Sequence, residues 1–138
     1  MHAKQVFAAL LVSAAAITEA RVLQSRQIGD VDCNVARLQI VDAISSAQDT
    51  VGGIKDATVK DAAAGGLNQA SDAIGNIGLA LISGQKAAAE DRTSVQTGLN
   101  ATGTALQGGD QTDDAVKQAQ GLLQKAVSAG KDVVSLCK

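Results

Sequence analysis

The sequence predicts an all-α fold, an antiparallel up-down four-helix bundle closed by one disulfide between its termini. Three observations support this prediction. The chain of 138 residues is rich in Ala and has no Pro, so nothing in its composition interrupts long helices. Apolar residues recur at steps of three and four in successive segments, which Gly residues separate. The two cysteines, Cys33 and Cys137, stand at the start of the first segment and at the end of the last.

Residues 1–20 have the pattern of a secretory signal peptide. Lys4 supplies the positive start, residues 6–17 are apolar, and Thr18-Glu19-Ala20 places small residues at the −3 and −1 positions of a cleavage site. The apolar run is shorter than the roughly 20 residues of a membrane span, so we expect cleavage rather than anchoring. A buried N-terminal helix is the alternative interpretation.

Cleavage after Ala20 would leave residues 21–29 as a polar leader, in which Arg26-Gln27 is a second candidate processing point. Residues 30–138 then form the helical bundle domain, with no transmembrane segment and no apolar tail of the kind that precedes a glycolipid anchor. The predicted location is therefore extracellular, secreted or in the cell wall.

The first helix is predicted to begin after an N-cap at Asp30 or Asp32 and to end at Gly52-Gly53. The alternative end is Gly65-Gly66, with the helix running through the earlier pair. One apolar stripe marks the core face, and Leu38 and Val41 are expected to widen it. The stripe consists of Ile40, Ala43, Ile44, Ala47, Val51 and Ile54.

The second helix has the most regular period, close to a heptad seam. Thr58 followed by Asp61 approximates a capping box at its start, and Gly84 is a candidate C′ residue at its end. The seam consists of Val59, Ala63, Leu67, Ala70, Ile74, Ile77 and Leu81.

The third helix is predicted over residues 86–106 and is the most polar one. Gly108-Gly109 ends it, and Asp110, Thr112 and Asp113 then provide N-caps and negative charge for the fourth helix. The apolar positions of the third helix are Ala88, Val95, Leu99, Thr102 and Leu106. Those of the fourth are Val116, Ala119, Leu123, Ala126, Gly130, Val133 and Cys137.

The two cysteines are expected to form a disulfide, because an exported chain meets an oxidising compartment. Free thiols or a metal site are the alternatives, although zinc would lack ligands, since the single histidine, His2, lies in the signal peptide. An even number of antiparallel helices brings Cys33 and Cys137 to the same end, whereas three or five would leave them about 30 Å apart. The disulfide and the helix count therefore support each other.

The composition argues against an enzyme. Without its first 20 residues the chain has no His, Trp, Tyr, Phe or Met, which excludes the familiar His-dependent nucleophilic sites. The carboxylate pairs Glu90-Asp91 and Asp113-Asp114 are expected on solvated faces at helix starts. We predict no cofactor and no metal. The mixed charges, with a net charge of −2, do not indicate nucleic-acid binding.

Asn100-Ala101-Thr102 is a sequon for N-glycosylation, which is meaningful in an exported chain. Asn100 lies beside the apolar stripe of the third helix, so its exposure, and with it the use of the sequon, stays open at this point.

Several stretches resemble a group of small secreted fungal proteins that are described as cell wall proteins. These stretches are residues 33–41, 66–70, 82–85 and 130–137, and they include both cysteines. The chain is more distantly similar to the family of hydrophobic-surface-binding proteins and cell-wall mannoproteins, although it is shorter and has a terminal Cys pair. The resemblance implies a secreted helical protein that adsorbs to apolar surfaces or binds lipid, and it implies no catalytic residues.

We therefore expect a non-catalytic protein of the fungal cell wall or cell surface, either structural or adsorbing to hydrophobic surfaces. Its expected partners are cell-wall components, an apolar surface or lipid. Two alternatives remain: a secreted effector or inhibitor that binds another protein, and a lipid carrier that holds its ligand between the helices.

Overall fold

The computed structural model describes residues 31–137, which form four helices. In chain order these are α1 (Val31–Val51), α2 (Ala57–Ile82), α3 (Ala89–Gln107) and α4 (Asp114–Leu136). Consecutive helices run antiparallel, and the predicted all-α four-helix bundle is confirmed. The predicted signal peptide, the polar leader and the Asp30 cap lie outside the described residues.

The bundle consists of two closely packed helix pairs. α1 packs along α4 and α2 packs along α3, whereas contacts of α1 with α2 and of α3 with α4 are few. The start of α1, the loop between α2 and α3 and the end of α4 lie at one end, which we call the disulfide end. The other end, here the paired-loop end, carries the loops 52–56 and 108–113.

The core is built from small and medium-sized side chains. Its largest fully buried side chains include Leu67, Leu106, Val51 and Val116, and many of the other core residues are Ala. The stripe predicted for α1 is buried from Ile40 to Ile54, as expected.

Two core predictions are wrong. Leu38 and Val41 do not widen the stripe of α1, since they are 70% and 49% exposed. The seam of α2 is fully buried only as far as Ala70. Ile74 is half-buried but packs against the core as expected, whereas Ile77 and Leu81 are half-buried and lie outside the core cluster. In both cases the periodicity identified apolar residues correctly, but no element of the described chain covers these residues fully.

The first helix ends at Gly52-Gly53, and Gly65-Gly66 lies inside α2. The reason is a close crossing of α2 and α3. A Cβ atom added at Gly66 would lie 2.6 Å from the carbonyl oxygen of Gly98, and one added at Gly98 would lie 2.5 Å from that of Gly66. Since only Gly allows two helix backbones to approach this closely, the glycines serve packing here rather than helix termination.

Thr102 completes this crossing from the α3 side. Its side chain is fully buried, and its hydroxyl donates a hydrogen bond to the carbonyl oxygen of Gly98 at 2.9 Å. The same hydroxyl lies 3.3 Å from the carbonyl oxygen of Ala63 on α2. A buried hydroxyl costs free energy unless it is bonded, and here both helices supply acceptors.

The helix caps agree in part with the predictions. The capping box at Thr58 and Asp61 is wrong, because Asp56 is the N-cap and accepts hydrogen bonds from the backbone N–H groups of Thr58 and Val59 at 2.8 and 3.1 Å. Gly84 follows the C-cap of α2 with φ of 74°, as expected for a C′ glycine. α3 begins three residues later than predicted, after Ala88.

Asp113 holds the two loops of the paired-loop end together. Its carboxylate accepts from the N–H of Ala115, as the N-cap of α4, and from the N–H of Lys55 in the other loop, at 2.9 and 3.2 Å. Asp113 is therefore buried, contrary to the expected solvated position. Next to it, hydrogen bonds from the backbone and then the hydroxyl of Thr112 lower the pKa of Asp110.

The neighbouring glycines of α2 provide a matched test of the crossing. G66A should destabilise the fold by about 1–3 kcal/mol, because its methyl group would meet the backbone of α3. G65A should stabilise it by about 0.5–1 kcal/mol, because Gly65 has nothing within 4 Å of the added atom and Ala favours a helix. Urea unfolding followed by circular dichroism measures both, and equal effects of the two substitutions would contradict the close crossing.

Candidate functional site

A disulfide joins the first turn of α1 to the residue after α4. Cys33 and Cys137 are bonded with an S–S distance of 2.00 Å and a Cα–Cα distance of 5.1 Å, so the predicted pairing is confirmed. Cys33 is fully buried. The bond holds α1 against α4 at the disulfide end, but it makes no link between this helix pair and the pair α2–α3.

The exposed large apolar side chains of the described chain are concentrated toward the disulfide end. All of them lie between the middle of the bundle and that end. We call this set the apolar end. Its members are Val31, Val35, Leu38 and Val41 on α1, Leu79 and Ile82 on α2, and Val127, Val134 and Leu136 on α4. Single exposed apolar residues are ordinary on protein surfaces, but here they are distributed over three helices at one end of the bundle.

α1 contributes to the apolar end through a second stripe. Val31, Val35 and Leu38 follow one another at steps of four and three, which places them on one face of the helix. The core stripe through Ile40 and Ile44 occupies the opposite face. The first half of α1 is therefore apolar on both faces, although only one of them is buried in the bundle.

The α2–α3 hairpin contributes through its tip, residues 74–97, none of which is buried. This hairpin tip nevertheless contains apolar residues that the α2 seam had led us to expect in the core. Ile74, Ile77 and Leu81 are half-buried, and Ile82 is 86% exposed. The core thus reaches the disulfide end through the pair α1–α4 only.

Helix register shows where the two pairs leave each other uncovered. The side-chain amide of Gln48 on α1 donates to that of Asn68 on α2 at 3.0 Å, so these two residues lie at the same level along the bundle axis. Seven residues, or about 10 Å, nearer the disulfide end lie Val41 and Gly75. An added Cβ atom at Gly75, or at Gly78 one turn further, would meet nothing within 4 Å. Gly75 and Gly78 therefore have free space beside them at the level of Val41 on α1.

A groove of about 330 Å³ lies between α1 and α4. It is lined partly by polar and charged residues, among them Gln39, Asp42, Lys125 and Asp132. Burying an acyl chain against such groups would cost free energy through their desolvation. The groove therefore does not favour the lipid-carrier alternative.

The carboxylate pairs serve local structure. Asp91 accepts from the side-chain amide of Asn76 at 3.3 Å, and Asp114 lies 3.6 Å from Lys117 on the exposed surface. Within residues 31–137, no group of three or more His, Cys, Asp or Glu side chains has an arrangement that could hold a metal ion. Over the same range, no helix combines the length and the apolar character that crossing a membrane requires.

Asn100 lies apart from the apolar end, in the second half of α3. Its side chain is exposed, whereas Thr102 of the same sequon is fully buried at the crossing with α2. The sequence alone did not decide whether Asn100 is exposed. In the structure, the Asn and the Thr of the sequon lie on opposite faces of one helix.

Comparison with family models, with curated proteins and with solved structures finds no match to this chain. The resemblance to secreted fungal cell wall proteins therefore stays a prediction.

The disulfide should account for a large part of the stability. It closes a loop with a sequence separation of 104 residues, which the chain-entropy model equates with about 4–5 kcal/mol. The variant C33A/C137A should therefore unfold at much lower urea concentration than the oxidised protein, and reductant should bring the original chain close to the variant. A loss below about 1 kcal/mol would contradict this expectation, and the variant, which has no bond to reduce, controls for other effects of reductant.

Proposed function

We propose that the protein is a non-catalytic, secreted protein of the fungal cell wall or cell surface, and that it adsorbs to hydrophobic surfaces through the apolar end. The observation that carries this proposal is the concentration of exposed large apolar side chains between mid-height and the disulfide end. The signal-peptide pattern of residues 1–20 and the resemblance to secreted cell wall proteins support the location.

The free energy available at this surface is large enough for adsorption. Complete burial of a fully exposed Val, Leu or Ile side chain contributes about 1.5–3 kcal/mol, so four of these partly exposed side chains together can contribute several kcal/mol. The protein does not need to unfold in order to adsorb, because these side chains are already exposed in the folded state.

The charges near the apolar end favour an uncharged target. Charged residues of both signs lie toward the same end of the bundle: Asp32 and Asp132 are negative, and Arg37, Lys86 and Lys131 are positive. A surface of strongly basic or acidic polymer would be attracted by some of these groups and repelled by others. An apolar surface, by contrast, gains from the side chains between them.

A protein partner is the second candidate, since an exposed apolar patch also fits a protein interface. The two proposals differ in what they require. A partner protein would bind with a defined stoichiometry, whereas adsorption to an apolar surface would saturate with surface area and would tolerate surfaces of different chemistry.

The variant L38S/L79S/I82S tests the proposal. The three side chains are exposed, so the fold should be retained, while adsorption to alkyl-coated silica should weaken about a hundredfold or more through the loss of several kcal/mol of apolar burial. The measurement is depletion of the purified protein from solution over a range of bead areas, with circular dichroism as the check on folding.

The matched control is A57S/A62S/A101S, which introduces three Ser residues at exposed positions toward the paired-loop end. This variant should adsorb like the original protein. If both variants adsorb equally, or if the original protein stays in solution, adsorption through the apolar end is refuted. Retention of the chain in the cell-wall fraction, or its release into the medium, tests the location separately.

A further inference from the structure

The single N-glycosylation sequon of the chain, Asn100-Ala101-Thr102, lies within helix α3 rather than in a loop. Residues two apart on an α-helix point to opposite sides. Accordingly the Asn100 side chain is exposed to solvent, whereas Thr102 has no exposed surface.

The Thr102 hydroxyl is occupied in the folded protein. It donates to the carbonyl oxygen of Gly98 at 2.9 Å and lies 3.3 Å from that of Ala63. It also stands where the backbones come closest, since a Cβ atom on Gly66 would be 2.5 Å from it. The hydroxyl becomes accessible only when α2 and α3 separate and this part of α3 unwinds.

Glycosylation of a sequon requires both side chains at once. The transferase binds the hydroxyl of the Thr while the Asn amide nitrogen bonds to the anomeric carbon of an oligosaccharide carried on a lipid diphosphate. The bond from that carbon to the diphosphate oxygen breaks, the lipid diphosphate leaves with the electron pair, and the amide loses one proton. A single active site cannot contact both opposite faces of a folded helix.

We propose that Asn100 is a glycosylation site whose acceptor state exists only before α2 and α3 close on each other. The glycan is attached to the unfolded chain during export, and the folded protein is refractory to the transferase. Folding then accommodates the glycan, because Asn100 is exposed and lies away from the apolar end. The inference shares with the proposed function the premise that the chain is exported.

The position of the sequon sets up a competition between transfer and folding. α2 and α3 both precede residue 108, so their hairpin can form before α4 and Cys137 have entered the compartment. The time in which the transferase can act is therefore set by closure of the glycine crossing, and formation of the disulfide comes later.

The experiment has two parts. First, the full chain is translated in an extract with microsomes, once with its own residues 1–20 and once with an unrelated signal sequence, and N100Q serves as the negative control. We expect one endoglycosidase-sensitive mobility shift that N100Q lacks. A shift with only the unrelated signal would refute the export premise alone, and no shift with either would overturn the inference.

Second, the purified folded chain is incubated with solubilised transferase and a lipid-linked oligosaccharide. The variant N100Q/D110N serves as the matched acceptor, because D110N creates a sequon with the exposed Thr112 in the loop after α3. Asn100 should react at least about tenfold more slowly than this loop site, since only the locally opened fraction of the protein can react. If the folded chain reacts at Asn100 as fast as the variant does in the loop, the inference is wrong, because the crossing would then not protect the sequon.

Discussion

The close approach of two helix backbones at Gly66 and Gly98 is the contact on which the packing of this bundle depends. The described chain contains no aromatic residue, and much of its core is Ala, so individual side chains bury little apolar area. Such a core gains stability from proximity, because dispersion contacts fall off steeply with distance. The glycines allow this proximity, and the buried hydroxyl of Thr102 donates a hydrogen bond to the carbonyl oxygen of Gly98 at the crossing. Larger side chains at these two positions would force the backbones of α2 and α3 apart at the crossing.

The two helix pairs are stabilised in different ways, and this difference produces the asymmetry of the molecule. The pair α2–α3 is held by its glycine crossing, and the pair α1–α4 by the disulfide. Between the pairs, Asp113 links the loops at the paired-loop end, and Gln48 and Asn68 link α1 to α2 nearer the middle. Toward the disulfide end the hairpin tip has no buried residue. The apolar end thus includes two parts: the exposed apolar residues of the hairpin tip, and the stripe Val31, Val35 and Leu38 on the face of α1 opposite the core.

Periodicity and glycine placement predicted the helices well, because both act locally. The core stripe of α1 from Ile40 to Ile54, the break at Gly52-Gly53 and the Asp113 cap all follow from spacing along the chain. The start of α2 was placed wrongly because Asp56 and Thr58 are both good caps, and only the backbone geometry decides between them.

The candidate site was harder to predict, because a stripe shows which face is apolar but not which helix covers it. The seam of α2 was therefore assigned to the core as far as Leu81, although no element of the described chain covers Ile77 and Leu81 fully. One signal was present in the sequence: Val31, Val35 and Leu38 form a second stripe opposite the first. A helix that is apolar on two faces within a four-helix bundle has one more apolar face than the bundle can bury.

The position of the disulfide also makes the described chain nearly a covalent ring. Every peptide bond between Cys33 and Cys137 lies within this ring. A protease that cuts the exposed loop after Ile82 would therefore produce two segments that remain one molecule, and neither could diffuse away. The cut chain would keep the same four helices in the same order around the ring, with new ends at the hairpin tip. Cleavage in a loop would thus open the ring without releasing any of its helices.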